Sequence, residues 1–246
     1  MKTLAKKAAI VTGGSRGIGR SIAIGLARAG ADVIVNYASN EKAALKVVTE
    51  IKALGARAVA VRADMSRPNE VSALFATALE SLGKLDILVN NAGIMLNRPI
   101  QQMSEEDFDR VFSINVKGVF LALRLAAEHL SDGGRIVNLS SSVTRHLFPG
   151  YGAYAATKAA VDQFTRIFAR EVGPRNITVN AVAPGPTQTE LFTLGKTEET
   201  IRQLASMSAL GRIGEPEDVA RVVVFLCTDA AAWITAQIIG VNGGFA

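Results

Sequence analysis

The sequence predicts an α/β protein with a doubly wound, seven-stranded parallel sheet, helices on both faces, and a single domain over residues 1–246. Seven short apolar runs alternate with amphipathic stretches along the chain. The runs lack strict polar alternation, as expected of strands covered on both faces. The first run also opens directly into a glycine-rich turn and then a helical pattern, the opening move of many doubly wound sheets.

The first strand is Ala8-Ala9-Ile10-Val11-Thr12, and Ile22, Leu26 and Ala29 mark the first helix. Between them lies Gly13-Gly14-Ser15-Arg16-Gly17-Ile18-Gly19. Glycines let a backbone approach a pyrophosphate, and the free N–H groups at a helix start attract its charge. The second strand, Val33-Ile34-Val35, leads into Asn36-Tyr37-Ala38-Ser39-Asn40, with no acid until Glu41. A dinucleotide fold that uses NAD places an Asp or Glu here to hold the ribose hydroxyls. Its absence, together with the planar cation of Arg16 and the donors Ser39 and Asn40, favours NADP. Val59-Ala60-Val61 is the third strand, and Asp64 after it is placed to cap the next helix. Ile87-Leu88-Val89 is the fourth and ends in the loop Asn90-Asn91-Ala92-Gly93.

A long helix is expected from Ser104 to Leu130, with Asn115 inside it as an amide able to kink the backbone. The fifth strand, around Ile136-Val137 and Leu139, runs into the hydroxyl cluster Ser140-Ser141-Ser142, where Ser141 could polarise a carbonyl. A second long helix, Tyr154 to Glu171, sets Tyr154 and Lys158 one turn apart on one face. A cation there favours phenolate and draws a pKa of about 10 toward the working range of a general acid. Tyr151 is a rival phenol, but its fourth-on residue is Ala155. Thr178–Val182 and Ile238–Val241 complete the strands. Between them, the long segment Pro184 to about Glu215 carries Leu191, Phe192, Leu194 and a short helical stretch from Thr197 to Met207. Loops of this length are usually functional, and this one reads as an apolar lid over a substrate. A helix from Pro216 to Cys227 follows.

Thr12-Gly13-x-x-x-Gly17-x-Gly19, Asp64, Asn90-Asn91-Ala92-Gly93, Asn115, Ser141, Tyr154-x-x-x-Lys158 and Pro184-Gly185 stand in the order and spacing of the short-chain dehydrogenases/reductases. The chain resembles that family along essentially its whole length. The resemblance implies a Rossmann sheet in which Ser141 and Tyr154 hydrogen-bond the substrate oxygen. It implies too that Lys158 also holds the nicotinamide ribose and that Asn115 anchors a water in a proton relay. It further implies a cofactor site along Gly13, Ser15, Arg16, Gly17, Ile18, Gly19, Tyr37, Ser39, Asn40, Asp64, Met65, Asn91, Ala92, Gly93, Tyr154, Lys158, Pro184, Gly185, Thr187 and Thr189, with Asp64 near the adenine. Arg145 to Tyr151 would form the substrate wall opposite the lid, and a homotetramer would assemble through the two long helices.

The activity this implies is NADPH-dependent reduction of a ketone or aldehyde, with Tyr154 as general acid. A second reading is reduction of 3-oxoacyl groups on acyl carrier protein, an acidic partner that needs a basic landing site. Of the two basic positions those reductases offer, Arg175 is retained and the other is Asp132, a like charge that costs affinity. The Ser140-Ser141-x-x-x-Arg145-x-x-x-Pro149-Gly150-Tyr151 wall and the Val241-Asn242-Gly243-Gly244 ending look closer to general aldehyde and ketone reductases. A third reading, a catalytically silent NADP-binding scaffold, is opposed by the intact set of Asn115, Ser141, Tyr154 and Lys158.

Composition narrows the alternatives. With 49% hydrophobic residues over 246, the core is ample for one domain. The net charge is +5, but the 27 Lys and Arg are scattered among 22 acids, without the basic stripe that nucleic-acid binding uses. Apolar runs such as Val222–Cys227 are too short for a membrane span, and the basic start Met1–Lys7 is not followed by a signal-like segment. A cytoplasmic protein is expected. The lone Cys227 cannot form an internal disulfide and reads as core, and His129 and His146 stand apart, so no protein-bound metal is expected.

Overall fold

A computed structural model describes residues 2–246. The strands are β1 (Ala8–Val11), β2 (Asp32–Tyr37), β3 (Ala58–Arg62), β4 (Ile87–Asn90), β5 (Arg135–Leu139), β6 (Thr178–Pro184) and β7 (Ile238–Val241). They form one parallel sheet in the order β3-β2-β1-β4-β5-β6-β7. The inner strands β1, β4, β5 and β6 are fully buried because both of their faces are covered, whereas the edge strands β3 and β7 are only partly so. The pleat sends Ala9, Val11, Val33 and Val35 to one core and Ala8, Ile10 and Ile34 to the other.

Helices α1 (Gly17–Arg28), α2 (Glu41–Ala53) and α9 (Pro216–Leu226) cover the first face, burying Ile22, Leu26, Val47, Ile51, Val223 and Leu226. The second face receives α3 (Pro68–Leu82), α5 (Gly118–His129) and α6 (Gly152–Val172), through Leu74, Phe75, Val119, Leu123 and Val161. Each such side chain contributes about 1.5–3 kcal/mol on burial. Local signals set the helix starts. Asn40 accepts from Ala43 N at 3.0 Å to cap α2, and Ser104 Oγ accepts from Asp107 N at 3.1 Å to cap α4 (Glu105–Phe112). Glu215 and Asp218 form a reciprocal capping box on α9.

Three details differ from the sequence reading. The helix expected from Ser104 to Leu130 is α4 and α5 joined by a π turn over Ser113–Lys117, which places Asn115 inside the widened turn. Asp64 does not cap α3, which starts after Arg67 with Pro68 at its first position. Its carboxylate instead closes a turn on Ser66, accepting from Ser66 N at 2.9 Å and Ser66 Oγ at 2.8 Å. The last long helix ends at Leu226, with Cys227 as its buried cap. Among the described residues, no helix is long and apolar enough to cross a membrane.

The order of the strands decides where a ligand fits. From β1 the chain winds outward through β2 and β3, then returns to pair β4 on the other side of β1, with Val11 opposite both Val35 and Val89. The loops leaving β1 and β4 therefore diverge and open a crevice at their carboxyl ends.

Candidate active site

The glycine turn fills one side of that crevice. Gly13 adopts φ +61°, and a Cβ there would lie 3.0 Å from Ala92 Cα; at Gly19 a Cβ would lie 2.3 Å from the Gly13 carbonyl. Both positions must lack a side chain for the turn to pack against the loop after β4. Asn91 braces the contact, its Nδ2 donating to Thr12 O at 2.9 Å and Gly13 O at 3.0 Å. Thr12 Oγ1 accepts from Asn91 N and Ala92 N at 2.9 and 3.0 Å. Asn36 holds the other side, accepting from Gly13 N at 3.1 Å and donating to Ala63 O at 3.0 Å. The sequence reading passed over Asn36 as a brace. Its signal is an amide at the end of an apolar run.

The N-terminus of α1 has no side-chain cap and no acid in its first turn. Its N–H groups and positive dipole end thus remain available to an anion. This donor set fits a dinucleotide pyrophosphate, and Tyr37, Ser39 and Asn40 bring no carboxylate to the ribose position at the end of β2. Asn40 is engaged in capping α2, while Met65 packs against Gly118. Arg16 does not project as a free cation: its guanidinium pairs with Glu190 at 3.1 Å, both side chains being exposed.

On the other side of the crevice, β5 ends at Ser140-Ser141-Ser142 and α6 presents Tyr154 and Lys158. Lys158 is buried, and Tyr154 is partly buried where it lines the cavity described below. Burial pushes the Tyr154 phenol up to about 12, which the Ser141 hydroxyl beside it only partly offsets. The same desolvation pushes Lys158 down to about 8, against the pull of the Asp162 carboxylate. This corrects the sequence expectation that Lys158 draws the phenol pKa downward. The ammonium lies over the ring face, 5.6 Å from its centroid, and donates to Leu139 O at 2.6 Å. Desolvation of the phenol is the largest influence on it, and the neighbouring Tyr151 adds to the rise.

Asn115 is brought behind these groups by the π turn, a feature that recurs at functional sites. Its Oδ1 accepts from Ile94 N at 2.9 Å, and its Nδ2 donates to Ile94 O at 2.8 Å and Thr157 Oγ1 at 3.2 Å. Thr157 in turn donates to Tyr154 O at 2.7 Å, tying the π turn to α6. Gly93 sits between Asn115 and Lys158, where a Cβ would meet their polar atoms at 3.2 and 3.7 Å. Asp162, one turn beyond Lys158, is buried, and its Oδ1 has no hydrogen-bond partner among the described residues. Ser140 Oγ approaches this carboxylate without reaching hydrogen-bond geometry.

A cavity of about 360 Å³ joins the two sides. Ile18, Asn91, Gly93, Ser141, Tyr154, Lys158, Pro184, Gly185, Thr187 and Thr189 all line it. Asn115 stands one layer behind. Gly13, Ser15, Arg16, Gly17, Gly19, Tyr37, Ser39, Asn40, Asp64, Met65 and Ala92 lie outside its lining, most of them around the carboxyl ends of β1–β3.

The cavity walls are largely apolar, with Phe148 and Tyr151 on one side and Leu191, Phe192 and Leu204 on the other. The latter come from the expected lid, which holds α7 (Glu190–Thr193) and α8 (Glu198–Ser206). Thr189 caps α7 by accepting from Phe192 N at 3.2 Å, and Thr187 Oγ1 donates to Gly185 O at 2.9 Å. Phe245 closes the wall and was missed in the sequence. His146 Nε2 donates to its carbonyl at 2.6 Å, and the His146 ring packs edge-on against it with centroids 4.5 Å apart. Away from the cavity, Arg175 donates to Asp132 Oδ1 at 2.7 Å and to Ala127 O at 2.6 Å, so the retained basic position is already paired.

A family profile described as Enoyl-(Acyl carrier protein) reductase matches residues 13–246. The chain belongs to the short-chain dehydrogenase/reductase family. This places it among oxidoreductases, and its relatives match over nearly their full lengths. The NADPH-dependent aldehyde reductase-like protein, chloroplastic, of Arabidopsis thaliana is 46% identical, covering 98% of this chain and 95% of that protein. The solved structure of a short-chain dehydrogenase from Burkholderia cenocepacia in complex with NADP superposes with a TM-score of 0.95 at 39% identity, covering 99% of each chain. An angucycline C-6 ketoreductase with bound NADP gives a TM-score of 0.94 at 41% identity, covering 99% of this dehydrogenase/reductase and 96% of that chain.

Proposed function

We propose that this short-chain dehydrogenase/reductase is an NADPH-dependent carbonyl reductase acting on apolar ketones or aldehydes. The observation that carries this reading is the meeting of Ser141, Tyr154 and Lys158 at one apolar cavity that reaches the crevice beside the glycine turn. NADPH, when bound, supplies the hydride to the carbonyl carbon. The chain handles the oxygen and the proton. Ser141 donates a hydrogen bond to the carbonyl oxygen, and Tyr154 hands it a proton as charge develops there. With its pKa at about 12, Tyr154 is fully protonated at neutral pH and remains a stronger acid than the alcohol being formed. Lys158, over the ring, stabilises the phenolate left behind. Asn115 holds the backbone at Ile94 and braces Thr157, which fixes the start of α6.

NADP is favoured over NAD because β2 ends without a carboxylate and Arg16 stands at the start of α1, within reach of a phosphate that can replace Glu190. NADP and NADPH in the descriptions of the relatives support the same choice. The site residues would then divide into a phosphate-binding set along the glycine turn and a catalytic set of Asn115, Ser141, Tyr154 and Lys158. The exposed Phe108, Phe120 and Ile167 on α4, α5 and α6 support assembly through these helices, as in a homotetramer.

The test follows NADPH absorbance with a panel of aldehydes and ketones, with NADH in parallel, and with a 3-oxoacyl-acyl carrier protein. NADPH should be consumed with apolar carbonyl compounds, more slowly from NADH, and poorly with the acyl carrier protein substrate. Tight NADPH binding without turnover of any of them would point to a silent scaffold instead.

A further inference from the structure

The mostly apolar cavity holds one charged side chain that the reaction above does not use. Lys196 lies between α7 and α8 on the lid and lines the cavity beside Phe192, Thr200 and Leu204. Its Nζ lies 4.6 Å from the centroid of the Phe192 ring and donates to Phe192 O at 2.6 Å. An ammonium has three N–H donors. Among the described residues, the other two find no hydrogen-bond partner, no carboxylate pairs with Lys196, and no Asp or Glu lines the cavity. Glu190, Glu198 and Glu199 are exposed and lie outside the lining. Partial burial disfavours the charged form of Lys196. Lys196 is partly buried at this wall, and an anion entering the cavity would meet its ammonium with no protein carboxylate competing for it.

We propose that Lys196 selects carbonyl substrates that carry a second, anionic group, such as a carboxylate, at the lid end of the cavity. This rests on the carbonyl reductase reading and names its substrate class. The reacting carbonyl sits at Ser141 and Tyr154, the apolar middle of the molecule packs against Phe148, Phe192 and Phe245, and the anion meets Lys196. The lysine is a specificity residue, and neutral carbonyl compounds would still react, less well held.

The probe pair is 4-formylbenzoate and its methyl ester, which differ in charge at the position away from the aldehyde. Binding of each to the NADP⁺-loaded protein is measured by calorimetry, where no turnover occurs. Lys196→Met should weaken the carboxylate by about 10-fold or more, the scale of a charge-assisted hydrogen bond, and leave the ester within about twofold. Lys196→Arg should restore most of the carboxylate binding. Equal weakening of both probes would reduce Lys196 to a lid-packing residue, and weakened NADP⁺ binding would place it on the cofactor. Either outcome overturns the proposal, as does wild-type protein that binds neither probe. Turnover is then followed with NADPH. Carboxylate-selective binding without NADPH consumption would uphold the role of Lys196 and remove the reductase reading.

Discussion

Tyr154 and Lys158 lie one turn apart on α6, and burial moves their proton affinities in opposite directions. Lys158 titrates near 8 when folded and near its ordinary 10.5 when unfolded. Between these values the unfolded chain binds more protons, so stability rises with pH across that window. In the cofactor-free protein, the stability gap between wild type and Lys158→Met should be flat below about pH 7.5. It should then move in favour of wild type by at most about 1.4 kcal/mol per pH unit. Denaturant unfolding of both proteins from pH 6.5 to 9.5 measures it, and a constant gap would contradict the depressed lysine. The Tyr154–Lys158 pair was legible in the sequence because helical spacing alone brings the two residues together. The direction of their proton affinities was not, because it is set mainly by burial, which other parts of the chain supply. Phe245, Asp162 and Lys196 escaped notice for the same reason: each acquires meaning only from a neighbour distant in sequence or from the cavity it lines.

At the scale of elements, the strand–turn–helix of β1 and α1 was readable from local rules, as were the hydroxyl cluster after β5 and the long segment after β6 with its short helix α8. The π turn was not. Asn115 marked a disturbance in the helix, but a widened turn depends on the bonds Asn115 makes to Ile94 and Thr157. The glycine turn and the lid also meet where Arg16 pairs with Glu190, the first residue of α7. An exposed pair of this kind is worth about 0–1 kcal/mol, so a cofactor phosphate can take Arg16 from it at little cost. Arg16→Ala should therefore shift the preference from NADPH toward NADH by about 1–3 kcal/mol in kcat/KM, the range for a charged hydrogen bond. An unchanged NADPH/NADH ratio would leave Arg16 as no more than a partner for the lid.

Across the whole molecule, the order of the strands converts these local features into one site. The crossover between β1 and β4 opens the crevice, and β5 and β6 deliver Ser141 and the lid beside it. The last strand, β7, returns the chain so that Phe245 seals the wall against His146 and Phe148. The doubly wound sheet was legible from the seven apolar runs, because strands buried on both faces leave a plain signature. Closure by Phe245 was not, since nothing local marks where an aromatic beyond β7 will pack. In the proposed reaction, this assembly positions a phenol to protonate a carbonyl oxygen while the carbonyl carbon takes up the hydride. The most direct measurement compares wild type and Tyr154→Phe for kcat with NADPH and a reducible aldehyde, alongside the NADPH dissociation constant. The expected result is a fall in kcat of at least about 10²-fold with NADPH affinity nearly unchanged; a variant turning over at close to the wild-type rate would show that Tyr154 does not deliver the proton.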